Sequence, residues 1–220
     1  VQNALALLMF LSYQLMIETL GAEYLAVTAL VFAVFRVNKT LVGGFAQGAS
    51  ILVGQALGSA DKRQAMNTAL AQQAIALVIG IVIALLLMLA PDVILNLFGL
   101  ELSLFALGRN AIRFFALFFL VEVIGYSLEI IFSHNGFGLL VLVSEFSTNV
   151  AFILGVTAYM LFVQRSGAYG AWLGFALYQL FHALILIVAF VSRKWLDVQL
   201  EQPERVQAAT TPSEAEAASG

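Results

Sequence analysis

Long apolar runs separated by short polar breaks dominate the first 193 residues. Six of these runs, roughly 2–20, 24–58, 65–90, 104–134, 137–164 and 168–193, reach about 20 residues or more, enough for an α-helix to cross a hydrocarbon core of about 30 Å. The breaks use turn chemistry: Gly21-Ala22-Glu23, the stretch from Gly58 to Arg63, Pro91-Asp92, the stretch from His134 to Gly138, and Arg165-Ser166-Gly167. No proline falls inside a run. Alternation with a period of two is absent, so the pattern predicts helices and not a closed barrel. The expected fold is an all-α integral membrane bundle of six transmembrane helices over residues 1–195. Large apolar side chains become scarce from Gln199 onward, and residues 196–220 read as a disordered cytoplasmic tail.

Composition agrees with that pattern. The chain is 62% hydrophobic and only 10% charged, with a mean hydropathy of +0.98, whereas soluble domains are about 45–50% apolar and about 25% charged. The absence of cysteine removes thiol catalysis, disulfides and cysteine metal sites, and two histidines far apart in sequence offer no metal centre. With a net charge of −3 and no basic stripe, nucleic acid is not an expected partner. Neither a metal nor a cofactor is expected. The chain starts at Val1 with no leader pattern before its first apolar run, and reads as a piece of a longer protein. Lys62 and Arg63 after the second run, with Arg193 and Lys194 after the sixth, place those connections on the cytoplasmic side. Arg109, Arg113 and Arg165 then fall on the outer side, against the rule.

Charged side chains inside the runs are the candidate chemistry, because an ion at the bilayer centre costs about 2.5–3.5 kcal/mol on insertion scales and therefore faces the bundle interior or a wet cavity. The second run carries Arg36 and Lys39, the fourth Glu122 and Glu129, and the fifth Glu145; Glu18 lies near the end of the first. At about 100° per residue, Arg36, Lys39, Thr40, Gly43, Gln47, Ser50, Gly54 and Gly58 share one stripe of the second helix. Glu122, Tyr126, Glu129 and Ser133 align on the fourth helix, Glu145, Thr148 and Asn149 on the fifth, and Asn3, Gln14 and Glu18 on the first. Several helices thus turn polar stripes to a common interior. Two cations face three carboxylates. A carboxylate left over would favour its protonated form on desolvation, as a proton carrier needs, or would act as a hard oxygen ligand for sodium. Glu122 is the first candidate for ion coupling, with Glu145 and Glu129 beside it. Arg36, Lys39, Gln47, Tyr126, Asn149 and His182 are the candidates for a substrate cavity. Structural pairing of the same charges, and a hydrogen-bonded structural role for His182, are the alternative readings. Glycine pairs at Gly44 and Gly48, Gly54 and Gly58, and Gly170 and Gly174 suit close helix packing. Trp172 is expected at the outer membrane boundary.

Three stretches resemble the MATE (multidrug and toxic compound extrusion) transporters. Ala49-Ser-Ile-Leu-Val-Gly-Gln-Ala-Leu-Gly-Ser-Ala-Asp61 resembles the end of a lobe's second helix and its cytoplasmic loop. Ser133-His-Asn-Gly-Phe-Gly138 resembles the glycine turn between fourth and fifth helices, without the usual arginine before the glycine. Gly167-Ala-Tyr-Gly-Ala-Trp-Leu-Gly174, with Trp195 after the basic pair, resembles the final helix and its exit. The resemblance implies one lobe, the carboxyl-terminal one, of a twelve-helix pseudo-twofold antiporter in a cell membrane, the bacterial inner membrane. It also implies export of small organic compounds, often cationic, in exchange for protons or sodium by alternating access between two lobes; the other lobe would come from sequence preceding Val1 or from a second copy. Acidic residues in the first and fourth helices of this lobe carry cation binding in some members. Glu122 lies near the fourth-helix position, whereas Glu18 lies too close to the outer end to match the first. Arg36 and Lys39 would suit an anionic or zwitterionic substrate.

Two transport readings and two others compete at this stage. A lipid-linked oligosaccharide flippase would share the fold, and Arg36 and Lys39 suit it. An intramembrane serine protease would use Gly125-Tyr-Ser127 and His182 as nucleophile and base, although His182 lacks a neighbouring glycine. A non-transporting assembly subunit would show no flux at all. The expected class is a transporter and not an enzyme, with no catalytic residues.

Overall fold

A computed structural model of the chain describes the backbone of residues 2–197 and the side chains of residues 7–197. Helix α1 runs Gln2–Glu18, α2 Ala22–Gly58, α3 Lys62–Leu89, α4 Pro91–Leu97, α5 Phe105–His134, α6 Gly138–Thr148 and α7 Gly167–Val191. The expected 196–220 tail lies outside the described residues from 198 onward, as does the side chain of Asn3. Its expected start falls within a last 3₁₀ turn, Lys194–Asp197.

The turns follow the punctuation. Gly21 (φ 130°), Gly99 (φ 69°) and Gly136 (φ 91°) take backbone conformations that L side chains rarely adopt. Asp61 caps α3 by accepting a hydrogen bond from the Gln64 backbone N–H at 2.9 Å. Pro91 opens α4 at its first position, where a missing N–H costs nothing.

Among the described residues, five helical spans are long and apolar enough to cross a membrane: Ala22–Gly58, Lys62–Leu89, Leu102–His134, Gly138–Val163 and Gly167–Val191. The first expected span is shorter than expected, with 17 residues in α1. The fifth departs more. It begins as α6 but becomes π-helical over Asn149–Val156 and again over Tyr159–Val163. Hydroxyl and amide side chains claim backbone carbonyls there: Thr148 Oγ1 donates to Ser144 O at 2.6 Å, Asn149 Nδ2 to Glu145 O at 2.8 Å, and Thr157 Oγ1 to Phe152 O, five residues back, at 3.3 Å. Such side-chain bonds compete with the regular ladder, and π-segments mark functional sites more often than chance.

Helix α5 is the hub, packing against α2, α3, α6 and α7. Its span is the most buried of the five, and that of α3 the least. The exposed side of α3, with Val78, Val82 and Leu85, is uninterrupted hydrocarbon that suits lipid. Against α5 and α7, bulky aromatics from α1 and α2 build one half of the core: Tyr13, Phe32, Phe35, Phe115 and Phe175 meet with ring centroids 4.7–6.4 Å apart. Trp172 joins this core. It is fully buried near the start of α7, and its indole N–H donates to Thr28 Oγ1 at 3.0 Å, so the ring faces the bundle interior. A second cluster closes the other end, where Trp195 packs on Phe132 and Phe190. There Lys62 Nζ meets Asp197 Oδ1 at 2.6 Å, tying the start of α3 to the last turn. The basic residues assigned to one membrane side do lie together. At the opposite end Arg109 pairs with Asp92 at 2.5 Å.

Candidate functional site

Two adjoining cavities open in the middle of the bundle. The smaller encloses about 280 Å³ between α2, α5 and α7 and is lined by Lys39, Glu122, Tyr126, Glu129, Gln179 and His182. The larger encloses about 820 Å³ between α1, α2, the π-helical span and α7. Aromatic rings from Phe10 to Phe175 make its walls, and Arg36, Glu145 and Asn149 provide its polar groups. Lys39, Tyr178 and Gln179 line both cavities. Apolar walls with a few polar groups are the lining expected of a small-molecule site.

Glu122 sits at the bottom of the smaller cavity and is 5% exposed. Lys39 Nζ lies 3.6 Å from its Oε1 and 4.8 Å from the centroid of the Tyr126 ring, which the ammonium overlies. Asn38 Nδ2 donates to the other carboxylate oxygen at 3.3 Å. Two helical turns further along α5, Glu129 Oε2 lies 3.7 Å from His182 Nε2, while His182 Nδ1 pairs with Ser144 Oγ at 3.2 Å. Both charge contacts exceed direct hydrogen-bond length. Glu122 Oε1, Gln179 Oε1 and His182 Nε2 are accordingly buried without a hydrogen-bond partner, and all three belong to residues lining the same cavity. Buried polar atoms are nearly always bonded, so three unpartnered atoms lining one cavity make it the candidate site.

Local sequence explains the approach of these groups. Gly43 lets Tyr126 come close: a Cβ there would meet its hydroxyl at 3.2 Å. Gly125 does the same for α7, since a Cβ would lie 2.7 Å from the Ala183 Cβ and 3.1 Å from its Cα. Gly54 leaves room for Asn135, whose Nδ2 donates to the carbonyls of Ser50 and Ile131 at 3.2 and 2.7 Å.

Most of the expected site residues meet here. Glu122, Glu129, Lys39, Tyr126 and His182 line the smaller cavity, and Arg36, Lys39, Glu145 and Asn149 the larger. Gln47 lines neither and is exposed. The expected polar stripe on α2 splits. Lys39, Gly43, Ser50 and Gly54 turn toward the bundle, while Arg36, Thr40 and Gln47 lie on its exposed flank, because α5 covers only one side of a broad polar face. Gly44, Gly48 and Gly58, expected in close packing, have nothing within 4 Å of where a Cβ would stand. Glu18 is exposed at the end of α1. The imagined dyad is not formed. Ser127 Oγ accepts from Gln72 Nε2 and Gln73 Nε2 at 3.2 and 3.1 Å, and His182 pairs with Ser144 and Glu129 instead. Sequence reasoning missed Asn38, Ser144 and the aromatic walls. Asn38 sits next to Lys39 but about 100° away around the helix, and phenylalanines in an apolar span carry no signal that separates cavity wall from core.

Among the described residues, no group of three or more histidine, aspartate or glutamate side chains is arranged to hold a metal ion.

Comparisons with known proteins agree with this architecture. The family model named MatE matches residues 1–157. No curated protein matches the chain. Among solved structures, the chain is similar to an outward-facing multidrug resistance MATE family transporter of the MOP superfamily, with a TM-score of 0.77 and 21% identity over 97% of this chain and 46% of that one. It is equally similar to a MOP superfamily transporter from Pyrococcus furiosus Vc1, described as having a binding pocket of reverse polarity that suggests a different function, with a TM-score of 0.77 and 20% identity over 97% and 46%. An inward-facing multidrug resistance MATE family transporter gives 0.70 and 18% over 91% and 44%. The chain therefore spans about half the length of the transporters it matches. At these identities the likeness shows the fold.

Proposed function

The chain belongs to the MatE family, and from that premise we propose that it forms one six-helix lobe, the carboxyl-terminal one, of a secondary antiporter that exports organic compounds in exchange for protons or sodium. The observation that carries this reading is the pair of joined cavities, one ionic and one aromatic, with Lys39 in the wall of both. An antiporter needs its coupling ion and its substrate to sense each other. Here the ion would bind at Glu122, with Glu129 and Glu145 near it, and the substrate would lie against the rings of the larger cavity, near Arg36, Tyr178 and Asn149.

Alternating access follows from differential affinity: substrate and ion each move the protein only as far as they bind one state better than the other. Such rocking takes two lobes about a central site. The second lobe would come from the same polypeptide or from a second copy. The location that fits is a bacterial inner membrane, with the Lys62 end in the cytoplasm.

Reconstituted protein should move an amphiphilic dye against an imposed proton or sodium gradient, and Glu122→Gln should reduce that flux to its gradient-independent level. Unchanged gradient dependence in the variant would sink the assignment of Glu122. A second reading, a flippase for lipid-linked oligosaccharides, is favoured by one observation, the Arg36 guanidinium on the exposed rim of the large cavity. Labelled lipid pyrophosphate binding more tightly than an amphiphilic cation, with the preference lost in Arg36→Gln, would establish it.

A further inference from the structure

The transport reading leaves two coupling ions open, and Lys39 separates them. A sodium ion at Glu122 would have to coordinate the carboxylate oxygen that the Lys39 ammonium approaches at 3.6 Å. The second oxygen accepts from the Asn38 N–H₂, so the amide as it is oriented turns hydrogen toward the carboxylate, and its own Oδ1 is buried without a partner. The ammonium is held from its other side by the Tyr126 ring. We propose that Lys39 is a tethered cation standing where sodium would bind, so that coupling at Glu122 is by protons and is independent of sodium.

This inference rests on the antiporter reading and names its ion. Two unit charges about 4–6 Å apart at an effective dielectric of about 20 disfavour one another enough to weaken sodium binding roughly a hundred- to a thousandfold. A proton is opposed by the same positive charge, but it needs neither the space nor the oxygen ligands that a sodium ion requires. It adds to the Glu122 carboxylate itself, the carboxyl becomes neutral, and the attraction that holds Lys39 disappears. Because Lys39 also lines the aromatic cavity, the released ammonium then adds positive charge next to the substrate. A proton on Glu122 and an organic cation in the aromatic cavity thereby exclude each other, which is the relation antiport requires.

The other ionisable groups around Glu122 are Arg36 on α2, Tyr126 and Glu129 on α5, Glu145 on α6, Tyr178 and His182 on α7, and Tyr13 on α1 at the far side of the large cavity. Helix α3, packed against α5, carries no ionisable side chain after Arg63. His182 and Glu129 face each other at 3.7 Å, which leaves Lys39 as the cation paired with Glu122.

Two measurements on the purified full-length protein test the proposal. In the first, binding of ²²Na⁺ is followed at fixed pH and ionic strength. The wild type should bind none saturably, Lys39→Gln should gain saturable binding, and the Lys39→Gln/Glu122→Gln double variant should lose it again. Saturable binding in the wild type that vanishes in Glu122→Gln overturns the proposal, and that comparison needs no Lys39 variant to fold. In the second, tetraphenylphosphonium is added in weakly buffered solution near the midpoint of its pH-dependent binding. By linkage, up to about one proton should be released per bound cation in the wild type and none in Glu122→Gln or Lys39→Gln. Release that survives in both variants also overturns the proposal. If no organic ion is bound or moved under any gradient, the antiporter reading falls, while the sodium measurement still decides whether Lys39 excludes the metal.

Discussion

The interior of this lobe depends on a few residues chosen for what they leave out. Gly125 is the sharpest case, because the α7 backbone at Ala183 passes within 3.1 Å of where its Cβ would be. Gly125→Ala must push α5 and α7 apart, an overpacking cost of about 1–3 kcal/mol. The expected result is a lower melting temperature and weaker binding of an amphiphile in the adjoining cavity; an unchanged melting temperature would show that the helices are not locked there. At this scale the convergence of the charged side chains was largely legible in advance. Charges inside an apolar run announce themselves, and Glu122, Lys39 and Glu129 converge. What stayed hidden is pairing. Nothing in the spacing of Arg36 and Lys39 says which of them turns inward, since three residues apart on a helix is a neighbouring position. The choice is made by α5, which covers the Lys39 side.

At the scale of elements, the span Gly138–Val163 is the least regular and the least foreseeable. Hydropathy marks its length, but the π-helical turns arise from competition among Thr148, Asn149 and Thr157 for carbonyls, which a 3.6-residue projection cannot show. Helix α7 is fitted to that irregular surface: Gly174 faces Thr157 and the Phe152 carbonyl, with the latter 2.8 Å from a Cβ placed there. Gly174→Ala therefore collides with backbone, not with the tip of a flexible side chain. It should destabilise the protein by more than Gly44→Ala, whose site is open, and a side-by-side thermal melt of the two variants checks this. Equal melting temperatures would mean that α7 does not rest on the π-segment. The short α4 was also unforeseen: Pro91 ends one apolar run, yet its ring suits the first turn of a new helix, so a break in the pattern became a helix start.

For the whole molecule, the apolar runs marked where the long helical spans lie, while the position of α5 as hub came from tertiary packing. Both tryptophans are shielded, Trp172 near the start of α7 beside Thr28 and Trp195 just beyond its end against Phe132. The chain has no others. Each indole therefore reports one end of the bundle without any label. Excited near 295 nm, both should emit toward the blue, as shielded indoles do, and single Trp172→Phe and Trp195→Phe variants would assign each contribution. A lobe that tilts as a rigid body would keep both emission maxima fixed when an amphiphile or a proton binds. A red shift confined to the indole at one end would show instead that this end loosens by itself, so the protein's own light emission can tell rocking from local gating.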